Sequence, residues 1–396
     1  MILIAPVAAG ALLLGTLGGV AAASSSHASK PTYTIAYEGP LSGGNAQLGL
    51  NMLYSVKLAV NQANAGTTFG SLPFKLKFTS ADDQGSASQS PTAAQSLINN
   101  SSVVAVVGPA FSGATKAAEP LFSAAHLATV SPSATAPALA TQGWHNFFRV
   151  VADDNAQGPG DALFVVKKLG AKRVYTIDDA SAYATGLISA FDSAAQHLGA
   201  TVTHVEAPGT TQCQAGTGNV QQYGALASQI KGSNAPVTFY AGYYCDFALL
   251  AKAVRAAGYT GTLMSDDGSL DPHYISESSA SVANGTYLSC ACTNLGTTKV
   301  DKAFSSGFRK LAHFAVGTYS AEAYDAANTI IATMKKLGTK VNRKAIVSGL
   351  TKIVYPGLTK RVHFQKNGDI AGTAVYIYKV TNGTIVEVGP VSSLVK

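Results

Sequence analysis

From Tyr33 to Ser265 short apolar runs alternate with amphipathic ones, and this alternation restricts the fold more than any other feature of the chain. Strands are expected at Tyr33–Glu38, Phe74–Thr79, Val103–Val107, Leu127–Val130 and Phe147–Val151. The series continues with Arg173–Asp178, Thr201–Glu206, Val237–Gly242 and Thr262–Ser265. Helical patterns separate them; in Leu50–Ala65, for example, Leu53, Val56, Val60 and Ala63 share one face. Strand followed by helix, repeated, implies an α/β fold with parallel sheets covered on both faces. After Cys292 the pattern changes to helices at Val300–Phe314, Ala321–Leu337 and Arg343–Leu350. Strands are then expected at Arg361–Phe364, Thr373–Val380 and Thr384–Val388, with turns at Asn367-Gly368 and Asn382-Gly383.

A chain of 396 residues allows about two domains. Hydrophobic residues make up 47% and charged residues 12%, which suits buried cores and excludes a disordered chain. Net charge is +7, but the basic residues are dispersed, and no basic stripe with interleaved aromatics suggests nucleic acid. Residues 1–28 stand apart. The run Ile2–Val20 is apolar, and small-x-small sites follow at Ala21-Ala22-Ala23 and Ser26-His27-Ala28, as in a secretory signal peptide. No Lys or Arg precedes the run, which leaves open an upstream start or an uncleaved anchor. No cysteine directly follows it, so a lipid-modified N-terminal cysteine is not expected.

Four cysteines, Cys213, Cys245, Cys290 and Cys292, favour disulfides in an exported chain and allow three pairings. A bridge across Cys290-x-Cys292 closes a very short loop, so Cys213 and Cys245 are each expected to pair with one of these two. The spacing is a poor zinc pattern. The eight histidines form no i, i+4 pair, and no serine lies in Gly-x-Ser-x-Gly, so metal and hydrolase chemistry have no motif. No cofactor motif is present either. The stretch VVGPAFSGATK, Val106–Lys116, comes near a phosphate-binding loop but lacks Lys-Ser/Thr after its second glycine.

In open parallel sheets ligands lie beyond the carboxyl ends of the strands. The loops there are rich in Ser, Thr, Tyr, Gly and Asp. Ser112, Ser133 and Thr135 bring hydroxyls to loops with exposed backbone N–H groups, and helix starts follow Ser112 and Thr135. Such an arrangement holds an anion without a lysine, and a carboxylate fits it as well as a phosphate. Asp267 on another loop offers a partner for a cation, and Tyr183 and Tyr243 offer flat walls. Together these describe a pocket for a zwitterion. Taken singly, each hydroxyl is equally explained as a helix cap.

GPLSGGNAQLG (39–49), VVGPAFSGAT (106–115), VSPSATAPALATQGW (130–144) and FFRVVADDNAQGP (147–159) resemble the leucine/isoleucine/valine-binding protein family. YTIDDASAYATG (175–186) and VTFYAGYYCDFALLAKAVRAAG (237–258) continue the likeness over nearly all of the chain after the signal. The resemblance implies two doubly wound parallel-sheet lobes joined by a three-crossover hinge, the periplasmic binding protein type I fold. Lobe 1 is then expected at 32–152 plus 291–355, and lobe 2 at 153–290 plus 356–392. It further implies a monomeric, non-enzymatic substrate-binding protein that traps an amino acid, branched-chain or aliphatic, for the membrane permease of an ABC importer. By the same likeness Ser112 and Thr135 hold the ligand carboxylate, the Ser133 backbone accepts from its ammonium, and Tyr183 and Tyr243 come from the second lobe. Asp267 stands where the family usually has glutamate, and Leu48 where an aromatic often lines the side-chain subsite; Phe111 is a further candidate ligand-binding residue. Both departures bear on which ligand is taken. An amide, a urea-like compound or an aromatic carboxylate is the alternative ligand, and a sensor ectodomain the alternative role.

Overall fold

Gly108 follows a strand of five consecutive buried aliphatics, Val103–Val107, and has φ +118°. A Cβ there would lie 2.3 Å from the Glu38 carbonyl oxygen, so only glycine lets the chain turn off the sheet at this point. The unbroken apolar run is what a central parallel strand, covered on both faces, requires. The computed structural model describes residues 1–3, 5, 29–209, 223–292, 299–372 and 374–395, and residues 31–396 form one unit.

The first sheet contains β1 (Thr32–Gly39), β2 (Lys75–Asp82), β3 (Val103–Val107), β4 (Ala128–Ser131) and β5 (Phe147–Arg149). All are parallel, in the order β2-β1-β3-β4-β5. Helices α1 (Ala46–Asn64), α2 (Ser90–Asn99) and α3 (Ser112–Ala124) connect its strands. The second sheet contains β6 (Arg173–Asp178), β7 (Thr201–Glu206), β8 (Val237–Ala241), β9 (Thr262–Ser265) and β10 (Tyr287–Cys290). Here α4 (Asp154–Leu163) leads in, and α5 (Ala182–His197), α6 (Gly224–Gly232), α7 (Tyr244–Ala256), α8 (Pro272–Ser278) and α9 (Ala280–Ala283) make the connections. The chain then runs through α10 (Lys299–Ala312), α11 (Ser320–Leu337) and α12 (Arg343–Leu350), of which α11 and α12 pack on β3 and β4 of the first sheet. A small ribbon of β11 (Tyr355–Pro356) and β12 (Arg361–Val362) follows. The last strands, β13 (Tyr376–Thr381) and β14 (Thr384–Pro390), return antiparallel to the edge of the second sheet, and α13 (Val391–Leu394) ends the chain. The second sheet thus runs β14-β13-β10-β9-β8-β6-β7.

Each sheet reverses its winding direction once, between β1 and β3 in the first and between β6 and β8 in the second. The crevice at such a switch point is where doubly wound sheets bind ligands. The loops after these four strands contain Gly39–Asn45, Gly108–Phe111, Asp179–Ser181 and Gly242–Tyr243. The fold therefore brings much of the polar loop chemistry noted in the sequence to two facing crevices. The Asn382-Gly383 turn joins β13 to β14 with positive φ at both residues, 51° and 74°.

Several features differ from expectation, among them β11, α8, α9 and α13, which had no forecast. The strand β10 had no forecast, yet it sits inside the second sheet between β9 and β13. The cysteine pairing is also corrected: Cys290 is bonded to Cys292. The chain bends immediately after β10, which leaves the two Cα atoms 5.0 Å apart, inside the ordinary range for a disulfide. The expectation rested on the shortness of the loop, and the bend after β10 is what lets so short a loop close. Cys245 is also disulfide-bonded, and Cys213 lies outside the described residues.

The carboxyl ends of the first-sheet strands bury acids. Glu38 is fully buried on β1 and accepts from Ser90 Oγ at 2.6 Å. Burial, followed by the nearby Asp83 charge, raises its pKa from 4.5 to about 8. The folded state therefore holds a proton that the unfolded chain releases near pH 4.5. This stability is complete below the unfolded value and is lost as pH rises through the folded one. Urea midpoints should fall between about pH 4.5 and about pH 8, and Glu38→Gln, which keeps the shape without the charge, should flatten that fall. An unchanged slope in the variant would rule out Glu38 as its source.

Candidate functional site

A cavity of about 240 Å³, counted out to its solvent-facing mouth, opens where the switch-point crevices meet. Leu48, Phe111, Ser112 and Ser133 line it from the first-sheet side. Tyr183, Tyr243, Asp267 and Gly268 line it from the second, and Tyr319 completes it. Seven of the eight residues singled out in the sequence therefore share one chamber. Thr135 is fully buried beside it but does not line it; its hydroxyl faces the buried Asp154 carboxyl.

One pole of the chamber is built for negative charge. Ser112 is the first residue of α3, after Phe111 in extended conformation, so the leading N–H groups of the helix have no intrahelical acceptor. The Ser112 hydroxyl accepts from the Ala136 N–H at 3.2 Å, which ties α3 to the loop after β4, and its own proton can be donated to a ligand. Ser133 donates to the Ala110 carbonyl at 2.7 Å, a second tie between the same two loops. Buried Arg149 fastens the loop from below, donating to the Ala134 and Ala136 carbonyls at 3.1 and 2.9 Å. Its Nε pairs with Asp369 at 2.6 Å.

The other pole is acidic. Asp267 is buried at the start of a short turn after β9, where Tyr183 Oη donates to Oδ1 at 2.6 Å and Tyr319 Oη donates to Oδ2. Burial raises its pKa, against the lowering effect of these hydrogen bonds. Asp266 beside it accepts from the Gly242 N–H at 2.9 Å and is raised by burial and by the Asp267 charge. Asp154 and Asp161 are raised by burial too, with Asp267 contributing to both. None of the nine lining residues is basic. Gly268 leaves room for this pole, since a Cβ there would lie 2.5 Å from the Gly242 carbonyl oxygen.

Tyr319 and Gly268 had no place in the sequence reading. Tyr319 precedes α11 with φ +65°, a backbone conformation that a bulky residue adopts only when its surroundings hold it there. It lies outside the strand-end loops. Its one sequence cue, the Gly317-Thr318-Tyr319-Ser320 helix start, carries no chemical signature.

Two doubly wound lobes with a small bipolar chamber between their strand ends define a binding protein of the two-lobed, ligand-enclosing class. The periplasmic binding protein family model matches residues 32–384, and the chain belongs to that family. It is 26% identical to the Leu/Ile/Val-binding protein BraC3 of Rhizobium johnstonii, over 89% of this chain and 93% of that one. Among solved structures it is similar to the branched-chain amino acid transporter substrate-binding protein LivJ of Streptococcus pneumoniae in complex with isoleucine. That likeness has a TM-score of 0.79 and 24% identity, and covers 91% of this chain and 100% of that one. A solute-binding protein of R. palustris in complex with benzoate is similar at TM-score 0.78 and 16% identity, over 91% and 96% of the two chains.

Proposed function

We propose that the chain is the exported solute-binding protein of an ABC importer and captures an aliphatic amino acid by closing two lobes around it. The observation that carries this reading is the bipolar chamber: the α3 N-terminus with Ser112 at one end, Asp267 at the other, and no basic residue in the lining. A buried zwitterion needs both its charges paired, and this chamber offers one partner for each. The ligand carboxylate lies at Ser112 and the leading N–H groups of α3, with Thr135 supporting the adjoining loop, and the Ser133 backbone is an acceptor for the ammonium, since its hydroxyl is taken up by the Ala110 carbonyl. The ammonium lies at Asp267 between Tyr183 and Tyr319. The side chain lies along Leu48, Phe111 and Tyr243. The lobes divide at 32–152 plus 291–355 and 153–290 plus 356–392, and the three crossings between them form the hinge. The apolar, small-residue N-terminal stretch supports export, and the partner is the membrane permease of the importer. The names of the relatives support the amino-acid class, and the role is binding rather than catalysis.

Thermal-shift screening tests the ligand class. Stabilisation by leucine, isoleucine or valine, with no response to benzoates or amides, is the expected result. A response to benzoates alone would move the protein to the aromatic-carboxylate class.

A further inference from the structure

The inner chamber has an outer neighbour. A second cavity of about 1120 Å³, counted out to its solvent-facing mouth, lies between the loop after β1, the Gln84–Gln89 segment and the loops after β6 and β8. The two cavities share only two lining residues, Phe111 and Tyr243. One ring comes from each lobe, and they stack with centroids 4.4 Å apart and planes 22° from parallel. We propose that this stacked pair is a length gate, which ends the side-chain subsite and excludes amino acids whose side chains would reach the outer cavity. The inference rests on the amino-acid reading above.

Both rings are held in place. Phe111 lies against Gly85, where a Cβ would come within 2.8 Å of the ring, so glycine at 85 is what lets the ring lie flat there. Tyr243 precedes α7, and the next residue, Tyr244, donates from Oη to the Gly44 carbonyl at 2.6 Å across the cleft. Because one ring comes from each side of the cleft, closing the lobes also closes the gate. The outer cavity is lined by amides, hydroxyls and the carboxylates of Asp179 and Asp246, the latter accepting from Tyr223 Oη at 2.9 Å, and none of its described lining residues is basic. Asp179, raised by burial to about 6, is mostly ionised at neutral pH. The chemistry beyond the gate therefore suits the cationic or amide end of a long side chain, such as lysine, arginine or glutamine.

The test is calorimetric titration of the full chain with alanine, valine, leucine, glutamine, lysine and arginine. The wild type should bind the short aliphatic members and bind arginine at least about 100-fold more weakly. Phe111→Ala should narrow that gap by about tenfold or more, since it joins the two cavities while leaving both poles intact. Adding Asp179→Asn should reverse the gain for lysine and arginine but not for glutamine. Uniform weakening of every ligand in Phe111→Ala, or no change, would overturn the gate. If Phe111→Ala does not fold, Phe111→Val is judged by the same criterion. If the wild type binds no amino acid, the functional reading fails, and the gate is judged on whether the variant accepts longer members of the carboxylates that the wild type does bind.

Discussion

Asp267→Ala should weaken amino-acid capture by at least about thirtyfold, because removing one partner of a buried charge pair costs about 2–5 kcal/mol. The residue is buried, and the chamber has no other acid in its lining to replace it. Two tyrosines aim its oxygens, so the loss falls on a prearranged acceptor rather than a mobile one. Asp267→Asn keeps the side-chain size and an acceptor oxygen for one tyrosine, and loses the charge together with the other tyrosine's acceptor. It should lose nearly as much affinity as the alanine variant, with the fold intact by circular dichroism. Calorimetry showing wild-type affinity in Asp267→Asn would remove the ammonium assignment.

Arg149→Met should destabilise the protein by about 3 kcal/mol, within the range for breaking a buried ion pair. The guanidinium is fully buried, pairs with Asp369, and holds two carbonyls of the loop that bears Ser133 and Thr135. Methionine fills part of the space but supplies no donors. The variant should therefore also bind its ligand more weakly, though Arg149 does not line the chamber. Urea denaturation measures the first effect and calorimetry the second. A loss below about 1 kcal/mol would mean that the loop is held mainly by its ties to α3.

The expected strands and helices match those of the structure wherever local pattern and tertiary role agree. Val103–Val107 is one case: five aliphatics in a row are explained only by burial on both faces, and all five are buried. The Leu50–Ala65 pattern became α1, which begins four residues earlier and ends one residue earlier. The strand β10 escaped because Tyr287–Cys290 takes its place in the sheet by pairing with β13, far along the chain, which local pattern does not encode. The disulfide was misjudged for a related reason: whether Cys-x-Cys can close depends on the backbone bend after the strand, which side-chain pattern does not encode. Most of the chamber was legible because the strand-end rule points to loops. Tyr319 was not, since it reaches the chamber from a helix start far along the chain. Its hydroxyl reaches Asp267 only through the fold.

The most direct test of the account is a paired titration of the wild-type protein with leucine and with 4-methylpentanoate, which is leucine without its ammonium group. If Asp267 pairs with an ammonium and Ser112 with a carboxylate, leucine binds and 4-methylpentanoate binds at least about 30-fold more weakly. Equal or tighter binding of 4-methylpentanoate would contradict the account and leave the chamber as a site for plain carboxylates.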